Sequence, residues 1–238
     1  MRYLRKNDDA KMTLFCFPYA GSGPGVYHAW LQDLAPSFEV VAIHYPGREA
    51  RIAETPYVDL DVLVSELVNQ IKHHLTRPFV FFGHSMGAYV AFLLSQRLAK
   101  TFGDKPEQLF ISGARAPFIK ENAPIHQLDS KAFLRAVIAL NGISKEVLAS
   151  PELVAMCLKA LRADFTACEN LKYKIEEELD IPLTLMGGDS DPRVSVSQLT
   201  AWGNLASRGV NKHIFSGDHF YLNEHRKTIS RLINSTLT

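Results

Sequence analysis

Gly83-His84-Ser85-Met86-Gly87 is the stretch that decides how this chain is read. An apolar run, Pro78-Phe79-Val80-Phe81-Phe82, precedes it, and a helix-like run, Ala88-Tyr89-Val90-Ala91-Phe92-Leu93-Leu94, follows. Gly-x-Ser-x-Gly between a strand and a helix is the setting of a sharp turn that presents its serine at the apex. A turn that tight forces the serine into strained backbone. Glycines two residues to either side keep side chains out of the closing angle between strand and helix. Ser85 is therefore the candidate nucleophile.

A serine hydroxyl needs a base to take its proton. In α/β-hydrolases the partners follow in the order serine, acid, histidine. Downstream of Ser85 stand His126, His213, His219 and His225. His219 lies in Phe215-Ser216-Gly217-Asp218-His219-Phe220, after a strand-like run and a turn, where an α/β fold places working residues. His213 falls inside that strand, His225 inside the following helix, and His126 in a polar segment expected to be exposed. The acid is expected after the strand Pro182-Leu183-Thr184-Leu185-Met186, within Gly187-Gly188-Asp189-Ser190-Asp191-Pro192. Asp191 is preferred, on the spacing Gly188, Asp191, Val194. Asp189 is the alternative, and the aspartate not used should hold turn amides instead. The acid fixes the imidazole tautomer and stabilises the imidazolium formed during attack.

An oxyanion needs amide donors from the residue after the nucleophile, Met86, and from the loop after the first core strand. Leu14-Phe15-Cys16-Phe17 is that strand and Pro18-Tyr19-Ala20-Gly21-Ser22-Gly23-Pro24-Gly25 the loop. Ala20 is the expected second donor, with Tyr19 as the alternative. The loop has neither a Gly-Lys-Ser/Thr ending nor Gly-x-Gly-x-x-Gly spacing, which argues against a nucleotide cofactor.

With 238 residues, 47% apolar content and net charge +1, the chain is expected to form one α/β domain over 1–238. The balanced charge argues against nucleic acid or a membrane surface as partner. No stretch approaches the roughly 20 apolar residues of a spanning helix. Three cysteines, Cys16, Cys157 and Cys168, make neither a disulfide framework nor a metal spacing, so no metal or other cofactor is expected. The first residues lack the apolar core of an export signal, and a cytoplasmic monomer is expected. Strands are predicted near 12–17, 38–43, 79–83, 108–112, 182–186 and 211–215, with helices near 27–36, 57–75, 87–101, 195–206 and 220–236. Their alternation predicts a mostly parallel sheet flanked by helices. The rhythm breaks at about 115–178, where Lys131–Leu140 and a segment opened by Pro151 read as helices. Both ends of this insertion leave the sheet on the side of Ser85, so it is expected to form a helical lid.

Together these motifs resemble the type II thioesterases that accompany polyketide synthases and nonribosomal peptide synthetases. The resemblance covers essentially the whole chain. It rests on Phe17-Pro18-Tyr19-Ala20-Gly21, Trp30, Tyr45-Pro46-Gly47-Arg48-Glu49, Phe82–Ala88, Leu161-Arg162-Ala163-Asp164-Phe165, Gly188–Pro192 and His219-Phe220-Tyr221-Leu222. General esterases and lipases need neither the Pro-Gly-Arg-Glu nor the Leu-Arg-Ala-Asp-Phe element. Two positions depart from the family: Gly21-Ser22-Gly23, where paired glycines are commoner, and Asp218, where a second glycine commonly precedes the histidine. The resemblance implies α/β-hydrolase fold and hydrolysis of acyl thioesters through an acyl-serine. The implied partner is an acyl or peptidyl carrier protein whose phosphopantetheine arm bears a wrong or stalled acyl group. Phe118, Phe133, Leu140 and Met156 of the insertion either shape an acyl pocket or pack helices. Arg48 and Arg162 either anchor the carrier or make structural ion pairs. A small carboxylesterase or lipase would use the same triad on oxygen esters, and a non-catalytic carrier-binding scaffold is the remaining alternative.

Overall fold

The computed structural model describes residues 1–143, 145–174 and 179–237. Seven strands form one sheet: β1 (Arg2–Arg5), β2 (Met12–Phe17), β3 (Phe38–Ala42), β4 (Phe79–His84), β5 (Gln108–Ser112), β6 (Leu183–Gly188) and β7 (Val210–Phe215). Their spatial order is β1-β3-β2-β4-β5-β6-β7, with β1 antiparallel to β3 and every other neighbouring pair parallel. The chain runs outward from β2 to β3, then returns to the other side of β2 to lay down β4. The direction of winding reverses there, so the loops after β2 and β4 diverge from neighbouring strand ends, the place where open α/β sheets bind ligands. The pairing of Phe17 with Gly83 puts those two loops side by side.

The central strands are apolar on both faces, as strands covered by crossover helices must be. Phe15, Phe17 and Phe81 face a core closed by α1 (Leu60–Ile71), α2 (Met86–Phe102) and Trp202. Leu14, Cys16, Val80, Phe82 and Phe110 face a second core closed by Tyr27, Trp30 and the C-terminal helix. Asp59 caps α1 by accepting from the amides of Asp61 and Val62. Between β5 and β6 lie α3 (Ser130–Ala139), α4 (Lys145–Leu148) and α5 (Pro151–Glu169), and α3 and α5 pack a third, smaller cluster around Phe133, Val137 and Leu161. Residues 144 and 175–178 of the expected insertion lie outside the described residues.

Four elements differ from the sequence expectation. The expected helix at 27–36 is a 3₁₀ stretch, Pro24–Gln32, whose buried residues Pro24, Tyr27 and Trp30 recur every third position. A three-residue turn stacks such a row against the sheet, whereas an α-helix would rotate it away. The expected helix at 220–236 begins only at Arg226, as α7 (Arg226–Asn234), because residues 220–225 are turns that bury Tyr221. Strand β1 was not expected. It is a short edge strand, and Arg5 reaches beneath it to donate to the carbonyls of Leu31, Leu34 and Ala35. The expected helix at 195–206 splits into α6 (Val196–Thr200), opened by a Ser195–Gln198 capping box, and a 3₁₀ turn.

Of the described glycines, the two of the serine turn leave the least room for a side chain. A Cβ added to Gly83 would stand 2.2 Å from the Gly87 carbonyl oxygen, and one added to Gly87 would stand 2.0 Å from that of Phe17. Neither neighbour can move without parting β4 from α2 or α2 from β2. We expect Gly83→Ala and Gly87→Ala each to lose about 3 kcal/mol or more in urea denaturation, at or beyond the upper end of overpacking. Gly209→Ala, with nothing within 4 Å, should stay within about 0.5 kcal/mol of the parent. Mild effects at Gly83 and Gly87 would contradict the packing described.

Candidate active site

Ser85 joins β4 to α2 with φ 55° and ψ −118°, a conformation that L-residues seldom adopt. Neighbouring backbone holds it there: the Ser85 amide donates to the Ser112 carbonyl at 2.8 Å, and the Ser85 carbonyl accepts from the Ala88 amide at 3.0 Å. Ser85 lines a cavity of about 310 Å³ together with Tyr19, Ala20, Met86, His219 and Phe220. His219 comes from the loop after β7. Its Nδ1 lies 2.7 Å from Asp191 Oδ2, whose side chain is fully buried. The other oxygen, Asp191 Oδ1, accepts from the amides of Arg193 at 2.8 Å and Val194 at 3.2 Å. One oxygen thus fixes the carboxylate and the other faces the imidazole.

Asp189 is placed differently. Its Oδ1 accepts from the Gly217 amide at 3.1 Å and the Ser190 hydroxyl at 2.8 Å. Those bonds hold its carboxyl below the usual range, the Ser190 hydroxyl first. Asp189 therefore ties the loop after β6 to the loop that carries His219, without contacting the ring.

Met86 is the first residue of α2, so its amide has no helical acceptor and lies at the positive end of the helix dipole. In the loop after β2 the Ser22 amide donates to the Tyr19 carbonyl at 3.0 Å, and the Gly21 amide to Asp164 Oδ2 at 2.7 Å. Tyr19 and Ala20 remain as the loop's candidate donors, and both line the cavity.

The structure also assigns residues that the sequence reading left open. Arg48 is buried, with Nη1 2.6 Å from Asp164 Oδ2 and Nη2 3.0 Å from Asp164 Oδ1. Arg162 donates to the carbonyls of His126 and Leu128 at 2.6 and 2.7 Å, with its guanidinium over the Phe133 ring. Arg48 is thus taken up by an internal ion pair, and Arg162 by backbone carbonyls and an aromatic ring. His126, expected to be exposed, is instead half-buried: its amide and Nδ1 both lie against Glu169 Oε2, at 2.9 and 2.7 Å. His225 stands just before the first residue of α7 rather than within it, with its ring against the Ser216 carbonyl. Of the four apolar insertion residues, Phe133 is buried core and Phe118 packs on the main core. Leu140 lines the cavity, while Met156 is exposed. The polar side of the cavity is an ion-pair network. Glu121 joins Arg115 to Arg193, and Arg193 reaches on to Glu169 at 3.2 Å.

His84, the variable residue before Ser85, is fully buried 5.0 Å from the His219 ring, centroid to centroid. Its Nδ1 lies 2.8 Å from Ser112 Oγ, which in turn lies 2.6 Å from the Tyr221 hydroxyl. No sequence signal marked this chain, because its three members come from three separate segments. Burial above all, and then the His219 charge, push the His84 pKa well below its ordinary 6.5. Among the described residues no cluster of His, Cys, Asp or Glu is arranged to hold a metal ion, and no helix is long and apolar enough to cross a membrane.

The sheet order, the crossover helices and the strained serine between strand and helix define an α/β-hydrolase fold. A thioesterase domain model matches residues 12–237. The linear gramicidin dehydrogenase LgrE of Brevibacillus parabrevis is 40% identical over 96% of this chain and 89% of its own. The gramicidin S biosynthesis protein GrsT of Aneurinibacillus migulanus is 36% identical over 92% and 86%. Among solved structures, the type II thioesterase BorB from the borrelidin biosynthetic cluster superposes with TM-score 0.91 at 34% identity, covering 100% of this chain and 97% of its own. The chain belongs to the thioesterase domain family and is a type II thioesterase of polyketide and nonribosomal peptide biosynthesis. The reaction named for LgrE is that protein's own, and what the likeness carries to this chain is the family.

The buried neutral His84 makes stability depend on pH. Its folded pKa lies below its unfolded one, so below about pH 6.5 the unfolded chain takes up a proton that the native ring refuses. Stability falls as pH falls. Urea titrations from pH 7 to 4.5 should show a shallower loss in His84→Gln, by up to about 1.4 kcal/mol per pH unit. Equal slopes would mean that His84 is not held neutral.

Proposed function

We propose that Ser85, His219 and Asp191 hydrolyse acyl thioesters carried on the phosphopantetheine arm of acyl or peptidyl carrier proteins. The observation that carries this reading is the 2.7 Å pair between His219 Nδ1 and the buried Asp191 carboxylate, with His219 and Ser85 on one cavity. With Nδ1–H donated to Asp191, Nε2 is the basic nitrogen. It takes the Ser85 proton as Oγ adds to the thioester carbon. The oxyanion that forms is met by the amides of Met86 and Ala20. Collapse breaks the C–S bond, and the arm's sulfur leaves with the proton held by His219. Water then attacks the acyl-serine with His219 as base, releasing the free acid and restoring Ser85.

The carrier as partner is supported by relatives named for gramicidin S and anguibactin biosynthesis and by neighbours from borrelidin and colibactin pathways. Removing a wrong or stalled acyl group in this way is an editing activity. In this reading the protein works as a cytoplasmic monomer, in keeping with its three free cysteines.

Residues 1–238 form one domain in which the 115–178 insertion is the lid, but only part of that lid is free to move. The C-terminal half of α5 is tied to the core by Asp164, which holds Gly21 and Arg48, and by Glu169, which pairs with Arg193. Leu153 and Met156 in the N-terminal half are exposed. The moving part is therefore α4 and the first half of α5, since α3 is packed on the fixed half through Phe133 and Val137.

Ser85→Ala should lower kcat about 10³-fold or more with folding intact. Asp191→Asn should lower it about 10³–10⁴-fold by favouring the wrong imidazole tautomer, and Asp189→Asn much less. The reverse ranking would move the acid's role to Asp189. A matched oxygen ester turned over faster than the acyl-loaded carrier would make the protein an esterase instead. Hydrogen exchange provides the lid test: amides at 145–157 should exchange faster than those at 161–169 and slow when a carrier docks. Uniform exchange across α5, unchanged by carrier, would contradict a hinge there.

A further inference from the structure

The Leu-Arg-Ala-Asp-Phe element of α5 faces the loop after β2 with two side chains one helical turn apart. Leu161 fills the space at Gly21, where an added Cβ would stand 2.4 Å from Leu161 Cδ2 and where φ is +75°. Asp164 sits beside it, its Oδ2 accepting the Gly21 amide at 2.7 Å and Arg48 Nη1 at 2.6 Å, and its Oδ1 accepting Arg48 Nη2 at 3.0 Å. Arg48 spends its remaining donors on backbone. Nε and Nη2 donate to the Pro46 carbonyl at 3.1 and 3.0 Å, and Nη1 reaches the Ser22 carbonyl at 3.4 Å. Both side chains are only 5% exposed.

Three segments meet at this pair: the loop after β2, the Pro46–Arg48 loop after β3, and α5. A buried ion pair is weak evidence for stability, because desolvating two charges offsets most of their attraction. Its position supports a more specific role. The Gly21 peptide that it grips immediately follows Ala20, the amide assigned above to the oxyanion. A carboxylate this near a developing negative charge would oppose it, unless a cation stood on the carboxylate.

We propose that Asp164 and Arg48 are positioning residues for the oxyanion: Asp164 fixes the peptide after Ala20 through the Gly21 amide, and Arg48 cancels the charge that this grip brings to the site. The proposal rests on the acyl-serine reading of Ser85 and Ala20. It accounts for both sequence elements that set this chain apart from general esterases, since one supplies Arg48 and the other Asp164. It also sets the boundary of the lid, because α5 cannot lift at Asp164 without releasing the oxyanion loop.

The test is steady-state hydrolysis of a small soluble acyl thioester, which needs neither carrier docking nor wide lid opening. Rates are normalised to active sites titrated to completion with a fluorophosphonate, and thermal unfolding is recorded alongside. Asp164→Ala and Arg48→Met should each lower kcat about 10²-fold, in the range for loss of one oxyanion donor, with KM within about twofold. Asp164→Asn keeps an oxygen for the Gly21 amide and should stay within about tenfold of the parent. Arg48→Met/Asp164→Asn leaves no unpaired charge and should recover most of what Arg48→Met loses. Parental kcat per titrated site in Asp164→Ala, whatever its Tm, would overturn the proposal, as would a double variant no faster than Arg48→Met. Should Asp164→Ala yield no folded protein, the comparison of Arg48→Met with the double variant decides alone. Ser85→Ala in the same assay keeps the two claims apart. Turnover surviving in Ser85→Ala removes the reading beneath the proposal, whereas an inactive Ser85→Ala beside a parental Asp164→Ala removes the proposal only.

Discussion

The left-handed backbone at Ser85 is the constraint on which the rest of the molecule turns. A φ of 55° at a residue with a side chain costs on the order of 1–3 kcal/mol and persists only where the surroundings leave no alternative. Here β4 on one side and α2 on the other cannot relax, because Gly83 and Gly87 already bring backbone against backbone. The Ser112 carbonyl holds the Ser85 amide from the next strand. What the strain accomplishes is placement. The serine stands clear of both elements at the edge of a cavity, and the amide after it opens a helix.

Around that point the sheet brings together loops that are far apart in sequence. The ends of β2 and β4 lie side by side because the winding reverses between them. The ends of β6 and β7 also pair, which sets Asp191 against His219. Asp189 stitches those two loops together through the Gly217 amide, so the two aspartates of one short turn divide the work of orientation and support. The insertion contributes in two ways. Its inner face, through Leu161 and Asp164, is part of the wall behind the loop after β2, while Val137 and Leu140 line the cavity. Asn141, at the end of α3, donates to Asp218 at 2.8 Å, so the residue before His219 is also where the insertion touches the histidine loop.

Much of this was legible because it is local. The apolar run, the two glycines and the helix-like run around Ser85 lie within the seventeen residues Pro78–Leu94, and each agrees with its neighbours. Short apolar runs ending in glycine or aspartate located β6, β7 and the loops that carry Asp191 and His219. What escaped the sequence is non-local or depends on a period other than 3.6. Arg48 and Asp164 are 116 residues apart, and nothing in either motif says that it needs the other. His84, Ser112 and Tyr221 meet only because β4 and β5 pair and the 220–225 turns fold under them. The three-residue spacing of Pro24, Tyr27 and Trp30 reads as an amphipathic helix until the sheet requires the tighter coil. Edge strand β1 carries two arginines in four residues and has no apolar alternation to announce it.

The central claim is that an acyl group passes from a carrier's thiol to Ser85 and then to water. Rapid-quench mass spectrometry of the protein mixed with acyl-loaded carrier measures that passage directly. The account predicts a transient mass increase equal to the acyl group on the peptide containing Ser85, appearing with the carrier's free thiol and decaying with the free acid. Full turnover with the acyl group on another residue, or with no covalent adduct at any time, would contradict it.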